Sequence, residues 1–313
     1  MNGACCTPAR MGAASASHDA GSRSPEAPPS PSIALPGGSL LMGTDYAGAF
    51  PLDGEGPVRE VILSPFAIEV YPVTNAGFAQ FIAATSYVTD SERFGWSFVF
   101  WMHLPPDRID ELVEDTVAAA PWWCKVPGAS WNHPEGPGSG LLGREKHPVV
   151  HVSWNDAAAY CAWAGRALPT EAQWEYAARG GLVQKLYPWG DDLTPGGGHL
   201  CNLWQGEFPR VDSAEDGFRG ACPVDAFPPN AFGLYSITGN VWEWTADWFT
   251  TEHDPKTQSD PTGPADGDAK TMKGGSFLCH ASYCNRYRVA ARTANTVDSA
   301  ASNVGFRCVR RKS

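Results

Sequence analysis

The chain has no run approaching the roughly 18–20 apolar residues of a membrane span, so no transmembrane helix is expected and no membrane partner. Its first 32 residues carry arginines but no apolar core, and do not read as a secretory signal. Positive charge is scarce: 23 Lys and Arg stand against 34 Asp and Glu, a net charge of −11. A chain this acidic is a poor partner for a phosphate backbone, and no nucleic acid is expected. Nucleotide and hydrolase signatures are missing too. There is no G-x-x-x-x-G-K-[ST] loop, no G-x-G-x-x-G after a strand, no H-E-x-x-H and no G-x-S-x-G. No C-x-x-C occurs, which removes the usual framework of a zinc site. Nine cysteines in 313 residues are too dilute for a disulfide scaffold, and an odd count leaves one without an intramolecular partner.

Glycine (33), proline (27) and tryptophan (13) are plentiful, and long helical patterns and repeats of fixed period are not found. That mix predicts a loop-rich α+β fold with an aromatic core. Residues 1–32, rich in Ala, Ser, Gly and Pro, read as a disordered leader, and residues 33–313 as one domain with no internal linker. A soluble, cytoplasmic protein is expected, with most thiols reduced.

Local patterns place several elements. Ile33–Leu35 and Leu40–Met42 read as strand around a glycine turn, and Val58–Val70 continues near period two. Thr74 is placed to cap a helix carrying Phe78, Phe81 and Ile82. Residues 91–143 and 187–229 lack a period and read as irregular. Ser153 opens a helix through Tyr160, Cys161 and Trp163, and Thr170-Glu171-Ala172-Gln173 is a capping box that opens another, ending at Gly180-Gly181. Val241–Thr245 and Val304–Val309 read as strands.

Chemistry gathers first at Cys279 and Cys284, between Gly274-Gly275 and an Arg- and Tyr-rich run. Two close thiols can hold a soft ion such as Cu(I), form a redox-active disulfide, or be an inert or bridged pair. Spacing alone leaves these open. Asn202–Glu207, Glu215–Phe218 and Ser236–Glu243 are oxygen-rich loops that suit a hard cation, although turn chemistry alone accounts for such residues. Trp163, Trp174, Trp189, Trp242 and Trp244 read as core. Cys5, Cys6, Cys124, Cys201 and Cys222 are expected to carry no catalytic role.

Gly274–Arg288, followed by Ala290–Asn295 and Asn303–Cys308, resembles the formylglycine-generating enzymes, or sulfatase-modifying factors. Pro148–Trp154, Leu168–Ala177, Tyr187–Gly190 and Gly239–Trp244 extend the resemblance over most of residues 33–310. Gly-Asn-Val-Trp-Glu-Trp with Gly-Phe-Arg marks only the wider superfamily, whose fold is related to C-type lectins. The C-x4-C pair points to the aldehyde-forming branch. The resemblance implies oxidation, by O2 with a thiol reductant, of the cysteine in a Cys-x-Pro-x-Arg segment of unfolded sulfatases to Cα-formylglycine. It implies that Cys279 and Cys284 bind Cu(I) with the substrate thiol as third ligand, beside Ser276, in a pocket lined by Trp242, Tyr283 and Arg286. It also implies Ca2+ at Asn202, Leu203, Asp216 and Phe218, and again at Ser236, Gly239, Val241 and Glu243, with Ser236 where relatives carry asparagine. Cys161 and Cys308 match a family disulfide, whereas Ala178 and Val289 stand where some relatives have a second. A monomer is expected. A lectin-like binding module would have no use for the C-x4-C pair, and a non-haem-iron sulfoxide synthase would need a further histidine-rich domain.

Overall fold

Gly37 turns the chain first. In the computed structural model, which describes residues 7–10 and 31–310, it sits at φ 70°, where a Cβ would meet the Leu63 carbonyl oxygen at 2.2 Å. Glycine alone tolerates both the left-handed backbone and that approach. It joins β1 (Ser32–Leu35) to β2 (Gly38–Met42). The period-two stretch that follows divides at Ser64-Pro65 into β3 (Arg59–Leu63) and β4 (Phe66–Glu69), which enter different sheets. In β3, Val61 and Leu63 are buried while Glu60 and Ile62 face water, as alternation requires.

The Thr74 hydroxyl accepts from the Gly77 amide at 3.2 Å and opens α1 (Asn75–Thr85), which buries Phe78 and Phe81. The stretch expected to be irregular over residues 91–143 is so only after Pro127. It holds α2 (Asp90–Phe94), β5 (Trp96–Phe100), α3 (Ile109–Leu112), β6 (Asp115–Val117) and β7 (Ala120–Pro127), with the strands ordered β5-β7-β6. Phe98, Val99 and Phe100 are all buried, so both faces of β5 are covered and its sequence has no reason to alternate. Capping boxes at Ser153/Asp156 and Thr170/Gln173 open α4 (Trp154–Trp163) and α5 (Glu171–Arg179), and α5 ends on Gly180 at φ 57°. The two-residue β8 (Arg166–Ala167) lies between them, and a short hairpin of β9 (Gly206–Glu207) and β10 (Val211–Asp212) interrupts the irregular stretch after them.

The remaining strands are β11 (Trp242–Trp248), β12 (Gln258–Ser259), β13 (Lys270–Lys273), β14 (Arg292–Asn295), β15 (Val304–Gly305) and β16 (Val309–Arg310). One sheet runs β14-β13-β11-β15, a second β1-β4-β16-β8 and a third β12-β3-β2. The strand expected at 304–309 therefore splits, β15 parallel to β11 and β16 antiparallel to β4. The main core draws on residues from Val73 to Cys308 and includes Trp123, Trp242, Trp244 and Phe306. This is the expected loop-rich α+β architecture.

The leader departs from expectation. Thr7 and Arg10 are only 2% and 4% exposed, seated on the domain by hydrogen bonds to Asn295 and Ser299. Ser32, also expected in the leader, opens β1, and residues 1–6 and 11–30 lie outside the described residues. Among those described, no helix is long and apolar enough to cross a membrane.

Candidate active site

The loop that leaves β13 carries both cysteines. Gly275, at φ 73°, would bring a Cβ within 2.9 Å of the Tyr287 Cα, so glycine lets the two arms of the loop close on each other. The Cys279 amide donates to the Ser276 carbonyl at 2.8 Å, and the Cys284 amide to the His280 carbonyl at 2.9 Å. These two turns return Cys284 to Cys279. Their sulfurs stand 2.9 Å apart, both side chains buried and neither in a disulfide. The Ser276 amide donates to the Cys279 sulfur at 3.4 Å, and the Asn303 side-chain amide donates to the Ser276 hydroxyl at 3.0 Å. Ser276 is thus placed beside the pair by its own loop and by the residue before β15.

The expected pocket residues divide. Tyr283 stacks on Phe208 at 4.1 Å and meets the edge of Trp122 at 5.1 Å, which makes an aromatic wall on the cysteine loop. Trp242 is fully buried in β11, with its amide on the Asn303 carbonyl. Arg286 is buried against Asp53 and the Phe50 ring, its guanidinium 3.5 Å from the Cys284 carbonyl, so it braces the loop. A cavity of about 240 Å³ opens on Cys279, lined also by His280, Tyr287, Cys201 and Trp204. Burial pushes the Tyr287 phenol up, as do Tyr187 and the nearby thiols. Burial likewise raises the Cys201 thiol, and the Cys124 thiol to about 11, which keeps both protonated and poor as nucleophiles.

The two oxygen-rich groups differ. In the first, the Leu203 carbonyl and the Asp216 carboxylate converge on one donor, the Gln205 side-chain amide. The Leu203 and Phe218 amides hold the same carboxylate at 3.1 and 3.0 Å, and Asn202 lies alongside on the Gly220 carbonyl. All of these donors are neutral amides, and a carboxylate beside a backbone carbonyl with no cationic side chain on them fits a hard cation. The second group does not fit one. Both Glu243 oxygens are taken, by Arg307 Nε and Nη2 at 2.7 Å each and by Trp174 Nε1 at 2.8 Å. The Ser236 hydroxyl donates to the Val224 carbonyl, and the Gly239 amide to the Gly274 carbonyl. Val241 is buried in the same segment. This group is a buried ion pair with a tight turn, and it ties β11 to the start of the cysteine loop. Cys161 and Cys308 come together as buried thiols with sulfurs 3.2 Å apart, longer than the ~2.05 Å of a disulfide bond.

The family of sulfatase-modifying factor enzyme 1-like domains matches residues 18–312. The chain belongs to that family. To one sulfatase-modifying factor relative, the formylglycine-generating enzyme of Thermomonospora curvata, it is 59% identical over 290 residues, 91% of this chain and 95% of that one. It is also 50% identical over 279 residues, 88% of this chain and 84% of the other, to an inactive C-alpha-formylglycine-generating enzyme 2 of Mus musculus. Among solved structures, PvdO from Pseudomonas aeruginosa superposes with a TM-score of 0.64 at 25% identity, covering 90% of this chain and 94% of that one. Within the sulfatase-modifying factors, chain-wide likeness therefore accompanies both active and inactive members, and the thiol site has to decide between them.

Three features of this sulfatase-modifying factor escape sequence reasoning. Asn303 stands within a stretch that carries the resemblance, but only packing reveals its bond to Ser276. Phe208 and Trp122 lie in aperiodic chain. Thr7–Arg10 belong to a segment whose composition reads as disordered.

Proposed function

We propose that the chain converts the cysteine of a Cys-x-Pro-x-Arg segment in unfolded sulfatases to Cα-formylglycine, using O2 and a thiol reductant, and so activates sulfatases. The observation that carries this reading is the pair of buried, unbridged thiols 2.9 Å apart beside Ser276. Two sulfurs with no histidine on them suit a soft monovalent ion, and Cu(I) at Cys279 and Cys284 would supply O2 activation and a seat for the substrate thiol. The chain's own residues do the rest. The loop turns hold both sulfurs on one side, the buried setting excludes water, and Tyr283 with Phe208 gives an apolar surface for the peptide. The Ser276 hydroxyl receives the Asn303 amide and the Leu278 amide, which leaves its own proton to donate to an oxygen of the reacting group. The first oxygen-rich group, at Asn202, Leu203, Asp216 and Phe218, would hold Ca2+ away from the chemistry and brace the wall of the cavity. Family names support this assignment, and the inactive relative makes a direct assay necessary.

Copper-loaded protein incubated in air with a thiol and a Cys-x-Pro-x-Arg peptide should yield the aldehyde, detected by mass. Cys284→Ser should abolish it. Absence of product from the wild type sinks the reading, and full activity of Cys284→Ser sinks the assigned site.

A further inference from the structure

Four leader residues sit in a built groove. The Asn295 side-chain amide donates to the Pro8 carbonyl at 3.0 Å and lies 3.3 Å from the Thr7 hydroxyl. Pro8 is buried and Ala9 points outward. The Arg10 amide donates to the Ser299 hydroxyl at 2.8 Å. Its guanidinium donates to the carbonyls of Asp298 (2.6 Å) and Trp96 (2.7 Å) and to the Ser91 hydroxyl (3.3 Å). It lies 4.5 Å from the centre of the Phe94 ring and 4.8 Å from that of Trp96. A planar cation read by three oxygens and two aromatic faces is specific recognition of arginine.

The seated residues are the last four of Cys6-Thr7-Pro8-Ala9-Arg10. That pentapeptide matches Cys-x-Pro-x-Arg at every specified position. The groove also leads to the thiol site: the segment that carries Asn295, Asp298 and Ser299 continues to Asn303, whose amide holds Ser276 beside Cys279. Cys6 lies outside the described residues and directly precedes the seated Thr7 in the chain.

We propose that this chain is its own substrate: the seated Thr7–Arg10 are the recognition half of a target motif, and Cys6 is a formylglycine modification site converted within the same molecule. The inference rests on the function proposed above. In the step, one Cβ–H bond and the Cβ–S bond of Cys6 break, the hydrogen passes to the departing water and sulfur leaves as sulfide. The carbon takes one oxygen atom of O2 as the aldehyde, and the other leaves as water. Two thiols of an external reductant supply two electrons and two protons and become a disulfide. Until it leaves, the tethered motif also competes with an incoming peptide for the arginine pocket, at an effective concentration of order millimolar.

Two measurements on the full chain test this. The first uses copper-free protein and a fluorescent Ser-Thr-Pro-Ala-Arg peptide, which cannot react. Arg10→Ala, which vacates the pocket, should bind it about tenfold more tightly than the wild type. Equal affinity overturns the inference. The second uses copper-loaded protein with thiol in air, and mass analysis of its N-terminal peptide beside an added Cys-Thr-Pro-Ala-Arg peptide. The aldehyde should appear at residue 6 of the wild type, at a rate constant unchanged on dilution, and be largely lost in Arg10→Ala while the added peptide is still converted. Conversion of the added peptide with Cys6 left as a thiol overturns this inference alone. Conversion of neither overturns the proposed function and this inference with it.

Discussion

Ser276 is held by two N–H donors, so the one group it can still offer is its hydroxyl proton. If that proton stabilises charge developing on oxygen, Ser276→Ala should lower kcat on the peptide by about 100-fold and leave KM nearly unchanged. A fall confined to KM would assign the serine to binding instead. Asp247 makes a separate prediction about pH. Burial, then the neighbouring Glu171, raises its carboxyl to about 7, while its oxygen accepts from the Glu171 amide at 2.7 Å. The folded state therefore holds a proton that the unfolded state releases near pH 4, and stability from this group declines as pH rises from there through 7. Asp247→Asn keeps an acceptor and removes the charge. Denaturant unfolding should find the variant gaining on the wild type between pH 5 and 8, by about 1–4 kcal/mol. A difference flat with pH would refute the assignment.

At the scale of elements, a buried charge network locks α5 to the sheet from which the cysteine loop departs. Lys273, the last residue of β13, is 3.0 Å from Glu175, whose other oxygen is 2.7 Å from Arg179 and accepts from the Gly43 amide. Burial alone would raise the Glu175 carboxyl, but Lys273 and then Arg179 hold it down to about 2. Removing one partner leaves the others buried and uncompensated. Lys273→Met should cost about 3–5 kcal/mol, read as a lower unfolding midpoint. Because β13 feeds directly into Gly274-Gly275, peptide turnover should fall in parallel as the temperature approaches that midpoint. A variant as stable as the wild type would show that the network is not what anchors the loop.

For the whole molecule, the first oxygen-rich group joins chain segments 13 residues apart, through the Leu203 amide on Asp216, in a region with little regular structure. A cation there should act on global stability, because binding to the folded state alone shifts unfolding by mass action. Calcium at 100 times its Kd should raise stability by ~2.7 kcal/mol, and Asp216→Ala should abolish the rise. Glu243→Gln should leave the calcium response intact while losing stability, because its partner is Arg307. A calcium response lost in Glu243→Gln would contradict the ion-pair reading of the second group.

What could be read from the linear chain was whatever local chemistry dictates. The capping residues Thr74, Ser153 and Thr170, the glycine stops at Gly37 and Gly180, and the alternation of β3 follow from backbone geometry within a few residues. The C-x4-C pair and the signatures around it pointed to the family. β5 was not legible, because a strand covered on both faces carries no period. Nor was the assignment of Glu243: whether a carboxylate meets a cation or an arginine depends on a partner 64 residues away in sequence. The cysteine pair was open between bridge, metal clamp and inert core, and packing bears on the first alone: it brings the sulfurs to 2.9 Å, unbridged and beside Ser276. The pentapeptide at Cys6 was present in the sequence, but its composition reads as leader. Only the tertiary structure supplies Asn295, Ser299 and the Trp96 ring, from elements far apart in the chain, that turn four leader residues into a bound motif.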